Sequence, residues 1–156
     1  MKTKLKDIII IGAIVIIAAS GFYMFNKVFK NTTFNRATVV QLNLDSGNYE
    51  KIVEVDFVNK EVVVIDNYIV NDITYPIIDE SNNTITLLGL EQEGIRYEFV
   101  IKYNMDKRSM EVIEEESPKN YSSKVGEQTA QPIISVPNAI QIHFSNDGEI
   151  DIDDTI

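Results

Sequence analysis

Beyond residue 36, the apolar side chains recur at every second position, which is the period of a β-strand and not of a helix. In the clearest example, residues 95–101, the apolar Ile95, Tyr97, Phe99 and Ile101 stand at alternate positions. Shorter apolar stretches bounded by turn residues occupy residues 40–44, 53–57, 62–65, 73–78, 84–88, 110–113, 133–136 and 140–144. Many short strands separated by turns are typical of an all-β fold. We therefore predict a single compact sandwich or barrel-like domain over residues 37–156.

The N-terminal part has a different pattern. Residues 8–25 contain no charged side chain, and these eighteen residues would form a helix about 27 Å long, close to the hydrocarbon thickness of a bilayer. Lysines precede and follow the stretch, and aromatic residues lie near its end. We predict a retained transmembrane helix at 8–25, a cytoplasmic basic tail at 1–7 and a spacer at 26–36. The alternative is a secretory signal that is cleaved after the small residues at 18–21.

The charge of the chain is divided unevenly. Of the 14 Lys and Arg residues, six lie within residues 1–36, but only one of the 24 Asp and Glu residues does, so residues 37–156 carry a formal charge of −15. A domain this acidic repels phosphate backbones, and we expect no nucleic acid among its partners. The predicted location is the cell membrane, single-pass, with the N-terminus cytoplasmic and the β domain extracytoplasmic.

The segment from residue 117 to 142 resembles the end of the domain II family of the transcription factor NusG. Its matching positions are Ser117-Pro118, Ser122, Gly126, Ser135 and Pro137-Asn138, with serine wherever the family has cysteine. The family also includes membrane-anchored proteins of low-GC Gram-positive bacteria. The resemblance implies a compact all-β domain in which Gly126 and Pro137-Asn138 shape the turns. It implies no redox chemistry here, because the chain has no cysteine.

A long polar loop follows the apolar stretch at 110–113 and includes three consecutive glutamates. Connections of this length in a compact domain are often functional, although a solvated loop is the simpler interpretation. The candidate partner-contact residues are Glu114, Glu115, Glu116, Tyr121, Lys124, Pro137 and Asn138. The partner that they would contact is expected to be a protein.

Few residues suggest catalysis or metal binding. His143 is the single histidine, and a place on the polar face of a strand explains it without chemistry. Glu149, Asp151 and Asp153 would share one face of a C-terminal strand, as a solvated edge or as ligands for a cation. We expect no catalytic, cofactor or metal site.

The sequence therefore favours a non-enzymatic binding or scaffolding domain held at the membrane. One alternative is an accessory subunit that docks into a membrane complex through its helix at 8–25. Another is an extracytoplasmic hydrolase, which would require His143 to lie beside a serine and a carboxylate.

Overall fold

A computed structural model describes residues 15–16, 18–21, 33–117 and 119–146. Contacts between residues group the chain into two compact units, Met1–Thr32 and Thr33–Ile156. Residues 15–16 and 18–21 are helical, and none of the described helical segments is long and apolar enough to cross a membrane. Most of the predicted helix at 8–25 lies outside the described residues, as do the tail at 1–7 and the acidic Glu149, Asp151 and Asp153.

The regular secondary structure in the described part of the second unit is almost entirely β-strand. Its strands are β1 (Arg36–Leu42), β2 (Tyr49–Asp56), β3 (Glu61–Val64), β4 (Tyr68–Val70), β5 (Ile73–Tyr75), β6 (Ile77–Asp79), β7 (Thr84–Leu88), β8 (Glu98–Asn104), β9 (Ser109–Glu115), β10 (Ile133–Ser135) and β11 (Ile140–Ser145). One short 3-10 helix, Ser122–Lys124, lies between β9 and β10. The all-β prediction is confirmed.

These strands form three antiparallel sheets. One sheet has five strands in the order β10-β11-β1-β2-β3, the second has four in the order β6-β7-β8-β9, and the third is the hairpin β4-β5. β11, the last of the described strands, pairs with β1, and β10 pairs with the other edge of β11, so the first and last described strands meet in one sheet. Long-range pairing of this kind cannot be read from local patterns.

The two larger sheets share one apolar core. Alternate residues of the central strands face it, so that Val39 of β1, Leu87 of β7 and Phe99 of β8 are at most 1% exposed. Burial of this apolar surface is the main stabilising contribution to the domain. The apolar residues recur at every second position in the sequence because alternate residues of each strand face the core between the two sheets.

Some strand boundaries differ from the predicted ones. β8 begins at Glu98, so Ile95 and Tyr97 precede the strand, and Ile95 is 55% exposed. The backbones of Gln92 and Ile95 exchange two hydrogen bonds of 2.8 and 3.0 Å across a tight turn at Glu93 and Gly94, which both have positive φ. The turn takes Ile95 out of the alternation. β4 was not predicted, and Pro76, which has no N–H to donate, separates β5 from β6.

The predicted spacer also ends earlier than expected, because its last two residues belong to the domain. The carbonyl of Asn35 accepts a 2.9 Å hydrogen bond from the N–H of Phe57. The guanidinium of Arg36 lies 3.0 Å from the carboxylate of Glu54 and 3.3 Å from that of Asp56. The folded domain thus includes Asn35 and Arg36.

The turn between β6 and β7 gives the domain a defined dependence on acid. The carboxylate of Asp79 accepts hydrogen bonds from the side chain and N–H of Ser81 and from those of Asn82. These bonds lower the pKa of Asp79 from 3.8 to about 2, with the Ser81 hydroxyl as the largest cause. Because the folded pKa is below the unfolded one, the stabilisation is complete above pH 3.8 and is lost as the pH falls towards 2.

We therefore expect the urea midpoint of the wild-type chain to fall more steeply between pH 4 and pH 2 than that of Asp79→Asn. This interval spans the unfolded and folded pKa values of Asp79. Glu80→Gln, which removes the neighbouring exposed carboxylate, should keep the wild-type profile. Parallel acid profiles for the wild type and Asp79→Asn would show that the turn contributes nothing to acid sensitivity.

Candidate functional site

The most unusual side chain inside the domain is that of Glu115, a carboxylate that is only 4% exposed. It lies at the end of β9, where Met110 and Val112 face the core at alternate positions. Continued alternation would turn Glu114 inward. However, Val112 pairs with Ile101 whereas Glu114 pairs with Val100, and Ile113 is left as an extra residue in a β-bulge. The bulge shifts the alternation by one and turns Glu115 inward.

Hydrogen-bond donors surround the buried carboxylate. Its Oε2 accepts bonds from the backbone N–H of Ser122, at 2.9 Å, and of Ser123, at 3.3 Å. Its Oε1 accepts bonds from the hydroxyls of Ser135, at 2.6 Å, and Ser122, at 3.3 Å, and from Asn138 Nδ2, at 2.9 Å. A buried carboxylate requires such compensation, since moving it out of water without donors costs several kcal/mol.

Asn138 completes this arrangement from the turn between β10 and β11. Its side chain is fully buried, and its Nδ2 also lies 2.9 Å from Ser135 Oγ and 3.4 Å from Ser117 Oγ. Among the described residues, Asn138 Oδ1 has no hydrogen-bond donor. Glu115, Ser117, Ser122, Ser135 and Asn138 form one group, which we call the Glu115 cluster.

The three serines of the cluster are the residues that were predicted from the sequence to stand where the NusG domain II family has cysteine. The structure brings Ser117, Ser122 and Ser135 together, although 18 positions separate the first from the last. Glu115 was predicted only as a contact residue, and its role as the centre of this group was missed. The bulge that turns it inward depends on pairing with β8 and leaves no signal in the local sequence.

The cluster determines the position of two surface segments. It binds the 3-10 helix through Ser122 and Ser123, and it binds the turn after β10 through Ser135 and Asn138. In that turn the N–H of Ala139 donates a 3.2 Å bond to the carbonyl of Val136, and Gln92 Nε2 donates a 2.8 Å bond to the carbonyl of Pro137. Gly126 has a positive φ of 73°, and in the turn at residues 136–139 the residue with positive φ is Ala139.

These segments present exposed apolar side chains. Tyr121 and Val125 flank the 3-10 helix and are 68% and 49% exposed, while Ile134 and Val136, on and after β10, are 50% and 79% exposed. Lys124 Nζ lies 5.6 Å above the ring of Tyr121, within the range of a cation–π interaction. We call Tyr121, Lys124, Val125, Ile134 and Val136 the contact surface.

The structure separates the predicted contact residues into two sets. Glu114, Glu116, Tyr121 and Lys124 are exposed, and Pro137 is half-buried. Glu115 and Asn138 are buried, which corrects their predicted place on the surface, because a partner cannot reach a side chain in the interior. Glu115 and Asn138 instead hold the 3-10 helix and the turn after β10, near which the exposed residues lie.

His143 lies on β11 of the five-stranded sheet. Its Nε2 is 2.7 Å from Gln141 Oε1, and burial lowers the pKa of the imidazole. In the described part of the chain, the side-chain hydrogen bond of His143 is to Gln141 and not to a serine or a carboxylate. In the part of the chain that the structure describes, no three His, Cys, Asp or Glu side chains converge as in a metal site.

The chain matches no protein-family model, and no curated protein or solved structure shows significant similarity to it. The resemblance to NusG domain II therefore stays a prediction from the sequence.

Proposed function

We propose that this chain is a membrane-anchored, extracytoplasmic binding protein of the NusG domain II type. In this proposal, residues 8–25 hold it in the membrane and the β domain binds a protein partner without catalysing a reaction. The observation that supports it is the contact surface, where apolar side chains remain exposed on segments that a buried carboxylate cluster holds in place.

The composition of the contact surface suits a protein partner. Exposed apolar side chains grouped on neighbouring segments are typical of interaction sites. Tyrosine is among the residues that contribute most to binding energy, because it offers a large contact area with few rotatable bonds. Lys124 on the contact surface and the exposed Glu114 and Glu116 before it in the chain carry charges of both signs, which fix orientation more than affinity.

The proposal can be tested by photo-crosslinking in intact cells. A photoreactive phenylalanine analogue placed at Ile134 of the full chain is expected to give one discrete adduct with a partner. The same analogue at Val58, which is 55% exposed but lies outside the contact surface, should give no such adduct. Combining Tyr121→Ala with Val136→Ala should reduce the adduct about tenfold, the loss expected when a central aromatic residue is truncated.

A second arm separates this proposal from docking through the membrane helix. Replacing residues 8–25 by an unrelated anchor should preserve the adduct, and protease added to intact cells should remove the β domain. Loss of the adduct with the new anchor would instead assign the binding to the helix. Absence of any adduct from the contact surface, or the same adduct from Val58, would overturn the proposal.

A further inference from the structure

The domain also has a concave site, formed by residues that do not belong to the contact surface. It is a cavity of about 400 Å³ between the ends of β1 and β2, the turn that joins them and the β4-β5 hairpin. Volumes of this order are typical of sites that bind ligands or the side chains of a partner.

One wall of the cavity is supported by hydrogen bonds between buried and half-buried groups. The Tyr68 hydroxyl accepts a 3.0 Å bond from the N–H of Leu88 and lies 3.2 Å from the carbonyl of the same residue. Gln41, which is 8% exposed, donates a 2.6 Å bond from Nε2 to that carbonyl. The ring of Tyr68 also stacks on that of Tyr75, with centroids 5.9 Å apart. These contacts are made within the domain itself, and a wall that the fold already holds in place lowers the entropic cost of binding.

The charged residues of the cavity are mainly acidic. Asp45, Glu50 and Asp66 line it, and among the described lining residues Arg96 is the one cation. The carboxylate of Glu50 accepts bonds of 2.9 Å from Asn43 Nδ2 and from Ser46 Oγ. These bonds, that of Asn43 first, lower the pKa of Glu50, so it is ionised at neutral pH.

Apolar side chains stand beside these carboxylates. Leu44 and Ile69 are 66% and 69% exposed at the cavity, and Val70 and Leu90 continue the apolar lining. A ligand that is only charged would leave these side chains unused, and one that is only apolar would desolvate the carboxylates without compensation. Lysine and arginine satisfy both requirements, since each carries a cationic head on an aliphatic stem.

We propose that this cavity binds a basic peptide segment of a partner protein. A lysine or arginine side chain enters between Asp45 and Asp66, and the aliphatic neighbours of that residue pack on Leu44 and Ile69. The inference goes beyond the contact surface and does not depend on it. The formal charge of −15 on residues 37–156 attracts such a segment at long range.

The test is calorimetric titration of the full chain in detergent micelles with acetyl-Leu-Lys-Leu-amide. Acetyl-Leu-Glu-Leu-amide and acetyl-Ser-Lys-Ser-amide serve as charge and apolar controls, and empty micelles provide the blank. We expect the Leu-Lys-Leu peptide to bind at least tenfold more tightly than either control. The double variant Asp45→Asn with Asp66→Asn should weaken binding about tenfold, because each exposed ion pair contributes only modestly to affinity.

A variant of equal charge distinguishes the cavity from the general acidity of the domain. Glu61→Gln combined with Glu80→Gln removes two exposed carboxylates elsewhere and should leave the affinity within twofold of wild type. Equal weakening by both double variants, equal binding of the three peptides, or no binding of the Leu-Lys-Leu peptide would each overturn the inference. None of these outcomes affects the crosslinking at Ile134, so the two proposals fail independently.

Discussion

Replacing Glu115 by alanine is expected to lower the free energy of unfolding by about 3 kcal/mol, because several buried donors lose their acceptor at a cost of about 1–3 kcal/mol each before relaxation. The donors are the two backbone N–H groups at the 3-10 helix, the hydroxyls of Ser122 and Ser135, and Asn138 Nδ2. This is a large fraction of the 5–15 kcal/mol that stabilises a typical domain, as a rough comparison. The measurement is urea unfolding of the full chain in detergent, followed by tyrosine fluorescence, since the chain has no tryptophan.

The neighbouring glutamate provides the matched control. Glu114→Ala removes the same side chain one position earlier on the same strand, where it is exposed, and should change the free energy of unfolding by about 0.5 kcal/mol or less. Glu115→Gln should fall between the two, because the amide retains one acceptor but turns a donor towards other donors. Equal stabilities of Glu114→Ala and Glu115→Ala would refute the role of the cluster in holding the domain together.

Gly89→Ala is expected to destabilise the domain by about 2 kcal/mol through overpacking. A Cβ at this position would lie 2.9 Å from Cγ and 3.0 Å from Cβ of Asn138, and it would press on Oδ1 as well. Asn138 cannot move aside without loss, because its Nδ2 is bound to Glu115 and Ser135. The φ of Gly89 lies outside the left-handed region, so alanine meets no backbone strain there.

A double-mutant cycle tests this explanation. In an Asn138→Ala background, Oδ1 and Cγ are gone, and Gly89→Ala should cost clearly less than it does in the wild type. The free energies of unfolding of the wild type, the two single variants and the double variant are measured by the same urea unfolding as for Glu115→Ala. Strictly additive effects would mean that the destabilisation by Gly89→Ala has another origin than contact with Asn138.

The two variants also connect stability with the proposed binding. Glu115 and Asn138 are buried, yet they hold the 3-10 helix and the turn after β10, near which Tyr121, Ile134 and Val136 are exposed. Glu115→Ala and Gly89→Ala should therefore weaken crosslinking at Ile134 even under conditions in which the domain remains folded. In that case, binding to the partner depends on buried residues that do not contact it.

The sequence by itself determined the class of fold, because alternation of apolar and polar residues is a local property of each strand. The stretch around Phe99 and Ile101 was predicted as a strand and lies in β8, and Gly126 has the positive φ that its turn requires. The charge imbalance was equally readable, since it needs only the positions of the charged residues. Local patterns failed where a turn interrupts them, as at Ile95.

Only the tertiary structure decided which glutamate is buried and which residues meet. Alternation from Met110 and Val112 points Glu114 inward, but pairing with β8 leaves Ile113 as a bulge and buries Glu115 in its place. The meeting of Ser117, Ser122, Ser135 and Asn138 around that carboxylate depends on β10 and β11 returning to β1, and the acidic cavity depends on the β4-β5 hairpin. The physical reason is that the period of a strand is local, whereas register and burial depend on partners that are distant in the sequence.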